Sequence, residues 1–542
     1  MLENVLLEKM RLRLGVAVSS FGADRIGVKE NLPIGKSGFD FARHIKIVIF
    51  YGLSERIRKK YPISRERYRN MSEQENFLGT QPIGKLLLKF SVPCVLSMLV
   101  SALYNIVDQV FIGQSVGYLG NAATNVVYPF TVIALAVALL IGDGAAALLS
   151  LSLGKGDRST GNRCGWISLI VSLCAGILLT VIGYAAFEPI LTLFGVTPDS
   201  HTYAADYFFV ILMGIPFYVL TSGVNGMIRA DGAPGYAMAA TVVGAVLNLI
   251  LDPIAVFVLK WGVTGAAIAT VVGQVVSCVM SCLYFIRPKQ FRLAKEDFRF
   301  GAKNVWKVCQ LGLSSLITQI SIVVIIAVAN NMIGVVGPAS EYGADIPLAV
   351  IGIVMKVFGI VIAFSVGIAV GGQPIAGFNY GSRDFARVKK TYKLVLIANI
   401  VVGAVSMLLF ELCPQAIVSI FGSESDLYNQ YADLCFRIFL GGILLCCVQK
   451  SCSIFLQSVG KPVKATLLSV SRDVVFLVPL VVVFALRFGV EGMLWAAPCA
   501  DVLAFLLTVL LVVLEFRDMN RQAAKMQVLK EMPADAKSDA AC

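Results

Sequence analysis

From about residue 88 onward, long apolar runs alternate with short polar stretches. Each run reaches about 20 residues, the length at which a helix crosses the hydrocarbon of a bilayer. Twelve spans are expected, at 88–112, 127–150, 164–187, 203–229, 237–258, 263–287, 307–334, 347–372, 392–412, 431–457, 464–486 and 490–515. The expected class is an all-α polytopic membrane protein.

The pattern is written twice. Phe194-Gly195 recurs as Phe421-Gly422, Asp199 as Asp426, Ala205-Asp206 as Ala432-Asp433, and Gly262-Val263 with Gly265 as Gly489-Val490 with Gly492. The shift is 227 residues each time, a constancy that chance matches between apolar segments would not keep. Two six-helix lobes of the same orientation are expected, related by a pseudo-two-fold axis along the membrane normal, an arrangement typical of transporters. The organisation then reads as a cytosolic leader (1–79), an N-lobe with spans 1–6 (80–290), an inter-lobe linker (291–306), a C-lobe with spans 7–12 (307–517) and a cytosolic tail (518–542).

Composition agrees: 57% of the 542 residues are hydrophobic, 15% are charged, and mean hydropathy is +0.79. The formal charge is +12, but residues 1–70 hold 15 Lys/Arg against 7 Asp/Glu, so most of the excess sits there. The remaining basic residues flank spans, which speaks for topology and against nucleic-acid binding. One set of alternate loops carries 18 Lys/Arg, from Lys155 to Lys464; the other carries Lys260 and Arg487 only. That bias places the first set and both termini in the cytoplasm of a bacterium whose inner (plasma) membrane holds the chain. Arg56 to Arg69 is strongly basic and fits neither a span nor a cleavable signal. Either Met71 is the true start or the leader is a real extension.

Polar groups inside the spans carry the chemistry. An ionisable group in hydrocarbon costs at least about 2.5–3.5 kcal/mol, so each one needs a reason. Span 1 holds Tyr104, Asn105 and Asp108; Tyr104 and Asp108 are one turn apart on one face. Span 5 holds Asn248 and Asp252 at i, i+4, followed by Pro253; span 4 holds Asn225 and span 6 Thr270. This oxygen-rich set suits a proton or a hard monovalent cation, with Asp252 as the centre. Interhelical hydrogen bonding is the alternative reading for Asn225 and Thr270. Pro93 removes a hydrogen bond early in span 1 and allows a bend.

The second half differs. Lys356 in span 8 and Asp501 in span 12 form a candidate polar pair or line a pathway, and Arg472–Asp473 reads as interfacial snorkelling. Asp143, late in span 2, is expected to reach a cytosolic vestibule. In the repeat register Asp252 aligns with Pro479 and Asp501 with Gln274, so the acids are not duplicated. Most of the thirteen cysteines lie in apolar spans, where Cys acts as a small hydrophobe; no cofactor or resident metal site is expected. The two histidines, His44 and His201, stand apart from any nucleophile–base constellation, which argues against an enzyme.

These residues resemble the MATE family (multidrug and toxic compound extrusion), in its MepA-like bacterial branch. The resemblance covers about 80–517 and rests on Tyr104 to Gly113, Leu153 to Asp157, Ile228 to Gly232, Asn248 to Pro253 and Gln373 to Gly381. It implies a V-shaped fold of twelve helices, and monomeric antiport of cationic or amphipathic drugs against H⁺ or Na⁺. It further implies an N-lobe coupling site matched by Asp108, Asp252, Asn248, Asn225 and Thr270, and a bending proline matched by Pro93. Some sodium-coupled relatives use acids in helices 7, 8 and 10. Here helix 7 offers Ser314, Ser315, Thr318, Gln319 and Asn330, helix 8 carries Lys356, and helix 10 has Asp433 near its outer end. Coupling is therefore expected in the N-lobe. A lipid-linked or metabolite flippase on a related scaffold is the alternative.

Overall fold

A computed structural model describes residues 77–293, 295–298, 301–421 and 426–531. The leader up to residue 76, Met71 and His44 with it, and Gly422 lie outside the described residues. The first half contributes six long helices: α1 (Ile83–Val116), α2 (Tyr118–Gly154), α3 (Arg158–Ala185), α4 (His201–Ala230), α5 (Pro234–Pro253) and α6 (Gly262–Tyr284). The second contributes α7 (Ala302–Val336), α8 (Asp345–Gly381), α9 (Phe385–Leu412), a broken α10 (Asp426–Leu434 and Ile443–Ser458), α11 (Pro462–Val470, continuing through Val478–Leu494) and α12 (Ala496–Glu531). Among the described residues eleven helices are long and apolar enough to span on their own, and α10, bent by 46°, makes the twelfth. The tail expected from 518 begins as helix, because Met519 is buried against the cluster around Phe385 and Val459.

The two halves pack by the same rules. In the first, α4 packs on α2, α3 and α6, and α5 packs on α1 and α6. In the second, α10 packs on α8, α9 and α12, and α11 packs on α7 and α12. Between the halves α1 meets α8 as α7 meets α2, the exchange that a pseudo-two-fold axis requires. Backbone breaks repeat as well: Gly262 and Gly489 both adopt left-handed φ, at 55° and 70°.

The close backbone contacts that glycines make between the lobes lie, among the described residues, at the end of the basic loops. A Cβ on Gly144 of α2 would overlap the carbonyl of Val308, and one on Gly312 of α7 the carbonyl of Leu140. On α8, Gly367 rests against Val95, Gly371 against Ser91, and Gly381 against the Leu151 carbonyl. Such close approach needs the missing side chain. Polar contacts reinforce this end: the Arg387 guanidinium donates to the carbonyls of Leu78 (3.0 Å) and Gln81 (2.7 Å).

The same helix faces part toward the other end. Gln109, Gln319, Asn330 and Lys356 lie whole turns beyond Ser91, Gly312, Gly312 and Gly367 on their respective helices, on the faces that join the lobes. Asn330 and Lys356 are exposed there. The result is a cleft between the lobes, closed at the basic end.

Candidate functional site

Local sequence positions the N-lobe cluster. Pro253 has no amide hydrogen, so α5 cannot continue its i→i−4 ladder and passes into a π-helical turn at Ile254–Val258, closed by Leu259 N donating to the Ile254 carbonyl at 2.9 Å. Asp252 sits at the last regular turn, and Asn248 one turn before it shares its face.

The Asn248 amide nitrogen donates to Asp252 Oδ1 (3.1 Å) and to Thr270 Oγ1 (3.2 Å), tying α5 to α6. Asp108 of α1 comes within hydrogen-bond reach of Asp252, so two carboxyl groups from different helices face each other. Asp252 is 1% exposed and Asp108 8%. Asp108 Oδ1, Asp252 Oδ2 and Asn248 Oδ1 have no hydrogen-bond partner among the described residues. Two carboxylates this close in a dry site repel, and a proton shared between them, or a bare cation, removes the repulsion. Tyr104 precedes Asp108 by one turn of α1, and Tyr207 of α4, which sequence reasoning missed, lies within electrostatic range of both acids. An isolated Tyr in an apolar span gives no signal of its own.

Two expected members stand apart. Asn225 donates to Thr241 Oγ1 at 3.1 Å, three turns of α5 from Asp252, and lines a cavity of about 30 Å³ with Cys94, Ser97 and Arg229. Asn105 is exposed and donates to the Ser101 carbonyl at 2.6 Å. Pro93 lies about four turns of α1 from Asp108, inside an unbroken helix.

Asp143 does not open onto a vestibule; it is 8% exposed and joins the lobes. Its Oδ1 receives Arg229 at 3.4 Å, and its Oδ2 accepts from Ser315 of α7 at 2.9 Å. Gln457 of α10 donates to Ser315 Oγ (3.1 Å) and to the Leu311 carbonyl (2.8 Å).

The C-lobe corrects two expectations. Arg472 and Asp473 do not snorkel: they are 5% and 1% exposed, within a π-helical stretch at Ser471–Leu477. Nor does Lys356 pair with Asp501. Arg472 Nε donates to Asp501 Oδ1 (2.8 Å), Arg472 Nη1 to Asp473 Oδ1 (2.7 Å), and Lys450 Nζ to Asp473 Oδ2 (2.5 Å). The physical reason is the face of α8. Phe358 lies 5.9 Å from the Arg472 guanidinium, so Lys356, two residues earlier, points to the opposite side. Two cations and two anions thus balance inside the lobe. Lys450 was missed, although a lysine within an apolar span signals a buried partner. Asp501 rests against Gly442, where α10 is broken and any Cβ would overlap its carboxylate.

The family profile described as MatE matches residues 93–254 and 315–483. The multidrug export protein MepA of Staphylococcus saprophyticus is 25% identical over 447 residues, covering 82% of this chain and 96% of the relative. MepA of Staphylococcus haemolyticus is 24% identical over 451 residues, covering 80% and 94%. Among solved structures, the MATE multidrug transporter DinF-BH is 34% identical with TM-score 0.72, covering 83% of this chain and 98% of its own. A MOP superfamily transporter from Pyrococcus furiosus, described as having a binding pocket of reverse polarity, is 23% identical with TM-score 0.76, covering 83% and 100%.

Proposed function

The chain belongs to the MatE family, and from that premise we propose that it is a multidrug exporter rather than an enzyme, one that expels cationic or amphipathic small molecules in exchange for H⁺ or Na⁺ by alternating access. The observation that carries the coupling is the facing pair Asp108 and Asp252, drawn from α1 and α5 and braced by Asn248 and Thr270. A proton or Na⁺ bound there removes the repulsion, leaving the pair with one net negative charge. Its loss leaves like charges on two helices, and α1 has a bend point at Pro93 with which to respond. A cationic drug and the coupling ion then compete for the same negative field. Transport follows only if the drug binds the two states differently, which a carboxylate pair that gains and loses its ion provides.

In this reading the basic loops and both termini lie in the cytoplasm of a bacterium, the chain works as a monomer in the inner membrane, and no nucleic acid is involved. The closed end of the cleft is then cytoplasmic, and the conformation is outward-open. Asn225 and Thr241 belong to the cytoplasmic side of the N-lobe rather than to the ion pair itself.

The test is efflux of a fluorescent cationic dye from vesicles, driven separately by a pH gradient and by a Na⁺ gradient. Asp252→Asn is expected to abolish gradient-driven accumulation while leaving equilibrium dye binding measurable. Full pH-driven efflux by Asp252→Asn would sink the coupling role. Export of an anionic, lipid-linked or metabolite cargo on the same scaffold is a second reading, favoured by the lysine on the cleft face of α8. Vesicles that move an anionic cargo and no cationic dye would replace the first reading with it.

A further inference from the structure

Lys356 is the one lysine that the helical pattern places in the middle of α8, and it is exposed. It makes no ion pair or hydrogen bond with any described residue. Lipid would penalise such a residue heavily. The face it occupies is not a lipid face. Lys356 precedes Gly367 by eleven residues, three full turns, so the two share one stripe of α8. Gly367 and Gly371 on that stripe touch Val95 and Ser91 of α1, across the boundary between lobes. Gly352 and Gly359, flanking Lys356, have no atom within 4 Å of where a Cβ would stand. The stripe that seals the lobes at the basic end is therefore open around Lys356.

The antiparallel register fixes its height. Gly371 opposes Ser91 and Gly367 opposes Val95, so each step back along α8 is a step forward along α1. Continued three turns, this brings Lys356 level with Ile106, within a turn of Asp108. The cleft thus has an unpaired cation on its C-lobe wall at the depth of the acid pair behind its N-lobe wall. The two acids buried mid-lobe, Asp473 and Asp501, are already taken by Lys450 and Arg472, so neither is left for Lys356.

We propose that Lys356 is the anion-recognising residue of the cleft, and that the preferred cargo is an amphiphile carrying a carboxylate as well as a cationic group. The lysine takes the carboxylate, while the acid side of the cleft favours the cationic end. This deepens the exporter reading above and rests on it. A purely cationic molecule of the same shape is repelled by Lys356 and binds less well than its charge suggests.

A matched dye pair tests this: a rhodamine ester, which is a cation, and the corresponding free-acid rhodamine, which is a zwitterion. Equilibrium binding to the purified full chain is read by fluorescence polarisation, and efflux by vesicle fluorescence. Lys356→Met keeps the stem and removes the charge. It is expected to weaken zwitterion binding about tenfold, the order of a charge-assisted hydrogen bond, and to tighten cation binding; Lys356→Arg restores the wild-type order. A purely structural role would move both dyes in one direction, and that result overturns the proposal. So does an unchanged ratio, or a change seen only when anionic lipid is varied in the vesicles. If wild type moves neither dye under either gradient, the exporter reading fails on its own; the binding ratio still decides the role of Lys356.

Discussion

Asp157 and Asp384 stand 227 residues apart and do the same work. Asp157 caps the N-terminus of α3 by accepting from Thr160 N at 3.0 Å, and Asp384 caps α9 by accepting from Arg387 N at 3.1 Å. Neither aspartate lies in a span, and each fixes where the third helix of its lobe begins. Asp157→Ala and Asp384→Ala are each expected to lower stability by about 1 kcal/mol, read by thermal unfolding in detergent. The Thr160 side chain and amide hold the Asp157 carboxyl below the usual carboxylate range. Its capping contribution is therefore full above about pH 4 and is lost as pH falls through the depressed value, so the Asp157→Ala deficit should shrink on acidification.

The residue before each cap is left-handed: Gly156 has φ 76° and Arg383 φ 62°. Only the first copy uses the residue suited to that conformation. Arg383→Gly should raise the unfolding temperature slightly, by a stability gain of up to about 1 kcal/mol, with its loss of unfolded-state order opposing the relief. A clear fall would mean that the Arg383 side chain contributes more than its exposed contact with Met526 implies.

The charge quartet of the C-lobe predicts non-additivity. Lys450→Met leaves an excess negative charge in the interior and should destabilise by about 3–5 kcal/mol. Adding Asp473→Leu restores balance, since Arg472 keeps Asp501. The double variant should therefore unfold at a higher temperature than the single one. Simple addition of two losses would show that the four charges do not act as a unit.

Wedges at the glycine contacts should act on conformation. Gly144→Leu and Gly312→Leu each place a side chain where a carbonyl of the other lobe now lies. Both are expected to part the lobes at the basic end. Spin-label distances between α2 and α7 near that end should lengthen, and those at the opposite end shorten.

The sequence announced the twelve helices and their pairing because apolar length and a repeated register are one-dimensional signals. Asp252 and Asn248 were legible for the same reason: one turn of α5 aligns them, and a carboxylate in an apolar span demands a partner. What could not be read was which groups from different helices share a height. Asn225 looked equivalent to Thr270, yet one bonds Thr241 and the other Asn248, about two turns apart in depth along α5. Lys356 and Asp501 looked complementary by sign alone, while helix rotation gave Asp501 to Arg472. The twist of α5 past Pro253 and the break of α10 at Gly442 likewise arise where local preference meets tertiary packing.

Where α1 and α2 meet α8 and α7, the lobes touch through glycines and carbonyls, and their backbones approach without intervening side chains. Beside that seam Leu86, Leu87 and Phe90 of α1 pack with Ala369, Ile375 and Phe378 of α8, so separation has to draw these side chains apart. Parting the lobes at this end therefore exposes the apolar area of that cluster, a cost that any event favouring the parted arrangement must offset.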